Sequence, residues 1–133
     1  MTDDDKKRFK ALATKYELQP TDFWKSPQGF VIISRRGIEK IQSGMKAEVS
    51  YEVVSEFSDP TESKYVIKAT GKARIGKDFR IIETYGESSP KNTRGGAQAY
   101  PIAMSEKRAL SRCILKLSDF YTLNVFSEDE INE

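Results

Sequence analysis

Two stretches of strict alternation constrain this chain more than any other feature. Between residues 46 and 57, Ala47, Val49, Tyr51, Val53 and Phe57 fall on one side of an extended backbone, and Lys46, Glu48, Glu52 and Glu56 on the other. Residues 64 to 75 repeat the pattern, with Tyr65, Ile67, Ala69, Ala73 and Ile75 opposed to Lys64, Lys68, Lys72 and Arg74. Neighbouring side chains on a strand point to opposite faces, so a sustained period of two predicts half-buried strands. Asp59-Pro60 supplies the turn between them. Gly76-Lys77-Asp78 then leads into a third strand, roughly residues 79 to 86, holding Phe79, Ile81 and Tyr85. The expected unit is a three-stranded antiparallel meander with one wet face.

The flanks change to helical spacing. Phe9, Leu12, Ala13 and Tyr16 recur as on a helix over residues 3 to 17, with Thr2 as cap, three aspartates at the positive helix start and Pro20 as terminator. Residues 21 to 33 read as a loop followed by a short strand at Val31-Ile32-Ile33. Ser34 caps a short helix that carries Ile38 and Ile41 inward and stops at Gly44. Residues 101 to 117 predict a long helix with Pro101 near its start. Ala103, Leu110, Cys113, Ile114 and Leu117 form its apolar stripe, and Arg108, Arg112 and Lys116, joined by Lys107, form a basic stripe opposite. The expected architecture is α+β: a meander flanked by an N-terminal helix, a short helix and a long C-terminal helix. Residues 1–126 make one domain, and residues 127–133 an acidic, flexible tail.

Composition narrows the chemistry. The chain has no histidine, which removes Ser-His and Cys-His nucleophile pairs, histidine zinc sites and imidazole acid–base catalysis together. Its one cysteine, Cys113, cannot form an internal disulfide and points to a reducing, cytoplasmic setting, and residues 1 to 9 do not read as a secretory signal. A nuclease needs clustered acids for metal ions; Asp3, Asp4 and Asp5 sit on a terminal helix and the strand glutamates face lysines, so no enzyme and no cofactor are expected. The chain has 22 basic and 20 acidic residues, and Glu128, Asp129, Glu130 and Glu133 all lie in the tail, which leaves a basic body. Such a division suits a polyanion binder whose tail competes for the same surface or recruits a protein partner, and equally a plain solubilising terminus.

Where polyanion contacts would fall is less direct. A hairpin closed around residues 58 to 62 sets Glu56 against Lys64, Glu52 against Lys68 and Glu48 against Lys72, a ladder that neutralises its own charge. That leaves Arg74, Lys77 and Arg80 near the second turn. It also leaves Lys91 and Arg94 in the Ser-, Pro- and Gly-rich segment 87 to 98, and the helix stripe of Lys107, Arg108, Arg112 and Lys116. Each cluster has an ordinary reading as a solvated face or loop.

The element order, the strand end Tyr85-Gly86-Glu87-Ser88 and the helix segment Ser105-Glu106-Lys107-Arg108-Ala109-Leu110-Ser111-Arg112-Cys113 resemble the annealing domain of the Rad fifty-two single-strand annealing superfamily, in particular its small phage-type members. The likeness in element order runs over about residues 3 to 120; in motif it is confined to those two segments. The resemblance implies oligomeric rings that hold single-stranded DNA in a basic groove between a β-hairpin and the helical body. Carried onto this chain, it puts DNA near Lys107, Arg108 and Arg112, with Arg74, Lys77 and Arg80 on the hairpin. The reading is therefore a non-catalytic, single-stranded DNA-binding or annealing accessory of phage or mobile-element recombination. Tyr85 or Tyr100 would stack on bases, although burial in the core is the commoner role for such rings. The alternative is a protein-interaction module, an adaptor or inhibitor, that uses Glu128, Asp129 and Glu130 and the sheet edge.

Overall fold

A computed structural model of the chain describes residues 1–58, 63–93 and 98–131, with the side chains of Ser58 and Ser63 left aside. Among these residues no helix is long and apolar enough to cross a membrane. The fold is α+β. Helix α1 spans Asp3–Lys15, and a short hairpin follows from β1 (Phe23–Lys25) and β2 (Val31–Ile33). Helix α2 (Arg35–Met45) leads into the meander of β3 (Glu48–Ser58), β4 (Ser63–Ile75) and β5 (Asp78–Ser88). Helix α3 (Pro101–Leu117) and β6 (Val125–Ser127) complete the order.

Local chemistry explains the helix ends. Thr2 and Asp5 form a reciprocal capping box at the start of α1. Ser34 accepts the Gly37 amide at the start of α2. That helix runs past Gly44 to Met45 and closes on Lys46 in the left-handed conformation (φ 53°). Gly44 serves packing instead: a Cβ there would stand 3.0 Å from the Tyr16 ring.

The meander forms as the alternation predicts, in the order β3-β4-β5. Ile67, Ala69, Gly71 and Ala73 of β4 turn inward beneath α3. On β5 the covered residues are Ile82, Thr84, Gly86 and Ser88, while Phe79, Ile81 and Tyr85 stand on the wet face. Close approach of α3 explains this. A Cβ on Gly86 would run into the Ser105 carbonyl and the Ala109 backbone, and one on Gly71 into the Cys113 sulfur. Thr84 Oγ1 donates to the Ala109 carbonyl (2.6 Å), and Ser88 Oγ shares a hydrogen bond with Ser105 Oγ (2.7 Å). Small and hydrogen-bonding residues fit such a contact where large apolar ones do not.

A bulge between Val53 and Ser55 changes the first hairpin. Glu48 and Glu52 oppose Lys72 and Lys68 as expected, but beyond the bulge Glu56 faces Tyr65 and Phe57 faces Lys64. One extra residue moves every later side chain to the other face. The turn at Asp59-Pro60 lies outside the described residues.

A second sheet was not anticipated. β2 pairs antiparallel with β1 and parallel with β6. Residues 127 to 131 are accordingly no free tail. Ser127 is buried in β6, a 3-10 turn follows at Glu128–Glu130, and Asp129 is 5% exposed. Residues 132 and 133 lie outside the described residues. Phe120, Leu123 and Val125 join Ile33, Ile38, Ile41, Ile114 and Leu117 in one core, with Phe9, Phe23 and Phe120 in mutual ring contact.

Gly86→Ala is expected to cost about 3 kcal/mol or more, because the new methyl meets backbone that cannot move aside. Gly76→Ala, at φ 64° with open space around it, should cost only about 1 kcal/mol for the backbone conformation. Urea denaturation midpoints of the two variants check the contrast.

Candidate nucleic-acid interface

The basic stripe of α3 is built into the fold. Because α3 packs on the sheet with one side and on the C-terminal segment with the other, Arg108 is 3% exposed. Its guanidinium donates to the carbonyls of Asp129 (2.9 Å), Glu87 (2.9 Å) and Asn92 (2.6 Å) and to Asn92 Oδ1 (2.8 Å). Arg112 bridges Glu87 (2.8 Å) and Glu130 (2.5 Å) and donates to the Tyr85 carbonyl (2.6 Å). The Arg112 hydrogen bonds hold the Glu87 carboxyl below the usual range, and the bonds that Arg112 donates to Glu130 and Glu87 raise its own pKa. Both arginines were expected on a solvated face for phosphate, and the structure instead assigns them to internal joints.

The remaining expected residues divide in the same way. Arg80 lies at the covered edge of β5, where Nη1 donates to the Leu117 carbonyl (3.1 Å) and pairs with Asp119 (3.0 Å). Lys116 sits 5.2 Å from the centre of the Tyr121 ring. Lys107 is half-buried and Lys91 exposed, both far along the chain from the hairpin; Arg94 lies outside the described residues. Arg74 and Lys77 are exposed at the β4–β5 hairpin. Cys113 is fully buried, and burial pushes its thiol up to about 11, consistent with a core role.

The acidic segment is equally engaged. Glu128 accepts the backbone amide of Arg35 at the start of α2 (2.8 Å), and Asp129 pairs with Arg35 Nη2 (3.0 Å) and accepts from Ser111 (3.2 Å). The alternative reading leaves these residues free for a protein partner; in the structure they fasten the small sheet to α2 and α3. Among the described residues no group of three or more His, Cys, Asp or Glu side chains converges on a metal site.

Sequence reasoning missed a cleft of about 470 Å³ between the ends of α1 and α2 and the β4–β5 hairpin. Among the described residues Lys15, Lys46, Lys72 and Arg74 line it, against Glu48 alone, with Tyr16 and Phe79 as its aromatic walls. β3 first pairs at Lys72, so residues 73 to 75 of β4 have no β3 partner there. A second cleft adjoins the first through Lys15, Tyr16 and Gly44, and adds Arg36 and Lys40 with Glu17 and Glu39. Lys40 is tied to Asp22 (2.8 Å). Lys46, Lys72 and Arg74 form no ion pair among the described residues, whereas Lys68 meets Glu52 at 3.3 Å and Glu83 at 4.0 Å. The cations of the first cleft come from three separate elements, the end of α1, the end of α2 and β4, and the close approach of Gly44 to Tyr16 brings the first two together. The signal available in sequence was Gly44 itself, which reads as a helix stop.

No protein-family model matches the chain, and no curated protein matches it.

Arg108→Ala should cost about 3 kcal/mol or more, since it leaves several buried carbonyls without a donor. Glu87→Gln should cost up to about 1 kcal/mol at pH 7, with half of that side chain in water. The depressed Glu87 pKa stabilises the fold above the ordinary carboxylate range, and this contribution is lost as pH falls through the folded value. The gap between wild type and Glu87→Gln should therefore close in acid, as followed by urea denaturation across a pH series.

Proposed function

We propose that this protein binds single-stranded nucleic acid, DNA before RNA, as a non-catalytic recombination accessory, with the backbone lying in the cleft between the β4–β5 hairpin and the ends of α1 and α2. The observation that carries this reading is the convergence of Lys15, Lys46, Lys72 and Arg74 on one open cleft with a single acid. Cations held apart from carboxylates attract a phosphate chain and release its counterions, and that term dominates non-specific affinity. Lys77 at the hairpin tip extends the same field. The resemblance to single-strand annealing domains agrees in kind, a basic groove beside a hairpin, while the residues differ: Arg74 and Lys77 stay in the proposal and Arg108, Arg112 and Arg80 leave it. Annealing and assembly into rings belong to the same proposal.

The protein-interaction reading keeps one support. Among the described residues no strand pairs with the outer edge of β3, where Tyr51, Val53 and Val54 are exposed. Its acidic half is spent inside the fold.

Fluorescence anisotropy of a labelled single-stranded oligonucleotide, with a duplex control and a salt series, tests the proposal. Lys72→Gln with Arg74→Gln should weaken binding about tenfold and reduce the salt slope by about 1.4, at unchanged thermal midpoint. Equal affinity in wild type and variant would move the interface away from the cleft, and no binding by wild type at low salt would end the reading.

A further inference from the structure

The wet face of β5 carries three large apolar side chains that no described residue covers: Phe79 at 60%, Ile81 at 58% and Tyr85 at 50% exposure. Alternate residues on a strand lie about 6.8 Å apart, so Phe79 and Ile81 stand one such step from each other and Tyr85 two steps further. Each faces a cation on β4, Arg74 opposite Phe79, Lys72 opposite Ile81 and Lys68 opposite Tyr85. Lys68 is engaged by Glu52 and by Glu83, which stands on the same face between Ile81 and Tyr85, so Arg74 and Lys72 are the cations left for a ligand. Side chains paired across antiparallel strands have Cβ atoms about 5 Å apart. Phe79 also forms a wall of the basic cleft, so the row continues the cleft onto the open sheet.

The pattern selects its occupant. An apolar protein surface laid on this row would strip water from Lys72 and Arg74 without giving them partners, which is costly. Duplex DNA has phosphates for the cations, but its base faces are already stacked on one another. An unpaired strand supplies both: flat bases for the rings and a phosphate beside each base for the cations.

We propose that the open face of β4 and β5 is a base-stacking platform, on which Phe79 and Tyr85 take nucleobase faces and Ile81 packs between them, while Arg74 and Lys72 hold the adjoining phosphates. This rests on the single-strand reading of the cleft and adds what the cleft lacks, a reason to prefer single strands over duplex. Stacking tolerates every base, so the platform confers strand selectivity without sequence selectivity.

The probe is a pair of labelled oligonucleotides of equal length, one of thymidylate and one with abasic deoxyribose phosphate throughout. Wild type should bind the base-bearing strand at least tenfold tighter, within the roughly fivefold to hundredfold expected for each stacked base. Phe79→Ala with Tyr85→Ala should bind both strands alike, at the abasic affinity and with the salt slope intact. Phe79→Leu with Tyr85→Leu, which keeps the face apolar, should lose the preference equally. Thermal melts verify that the variants fold. A wild type that binds both strands alike overturns the platform and leaves the cleft standing, whereas binding of neither strand removes the single-strand reading as a whole. Variants that keep the base preference but change the sedimentation of the free protein would make this face a protein contact, and the platform would again be wrong.

Discussion

The buried guanidinium of Arg108 is the tie on which the rest of the structure depends. From the middle of α3 it reaches the end of β5 through Glu87, the following loop through Asn92, and the C-terminal segment through Asp129. A buried charge is tolerated only when hydrogen bonds replace the water it has lost. Among the described residues no buried side-chain nitrogen or oxygen lacks a partner. Arg112, one turn further along α3, repeats the device nearer to solvent with Glu87 and Glu130. The two arginines, one through the Asp129 backbone carbonyl and the other through the Glu130 carboxylate, thus make the C-terminal segment part of the domain.

This division of labour explains why the basic stripe of α3 is a poor guide to the surface of the domain. A helix drawn as a wheel has one apolar and one polar side, and the polar side is assumed wet. Here α3 has neighbours on both sides, and Arg108 and Arg112 on its polar side are taken into the fold because an acidic segment more than a dozen residues later in sequence packs against them. The four cations of the cleft stay wet on elements with a single covered side, Lys72 and Arg74 on β4 and Lys15 and Lys46 at the ends of α1 and α2.

The meander was legible because alternation survives whatever packs above it: β4 has the face assignment its residues dictate. β5 was legible as a strand, but hydrophobicity alone does not show which side is covered. Gly86, Thr84 and Ser88 are under α3 because the helix backbone comes too close for larger side chains, and Phe79, Ile81 and Tyr85 take the remaining side. The bulge at Val53 and Ser55 leaves no mark in composition, so the expected pairing of Glu56 with Lys64 fails while those of Glu52 and Glu48 hold in register. The second sheet and the cleft were illegible for a common reason. Both are assembled from short segments distant in sequence, each too brief to carry a period of its own.

The parallel pairing of β2 with β6 has a consequence for the order of events during synthesis. The contacts that secure it join Arg35 to Glu128 and Asp129, 93 and 94 residues apart. Closing so long a loop is entropically costly, and its pairing cannot begin until the distal partner has been made. Until β6 has been made, β2 has no parallel partner and Arg108 no Asp129 carbonyl to receive it, so the burial of the α3 stripe waits on residues that follow it in the chain.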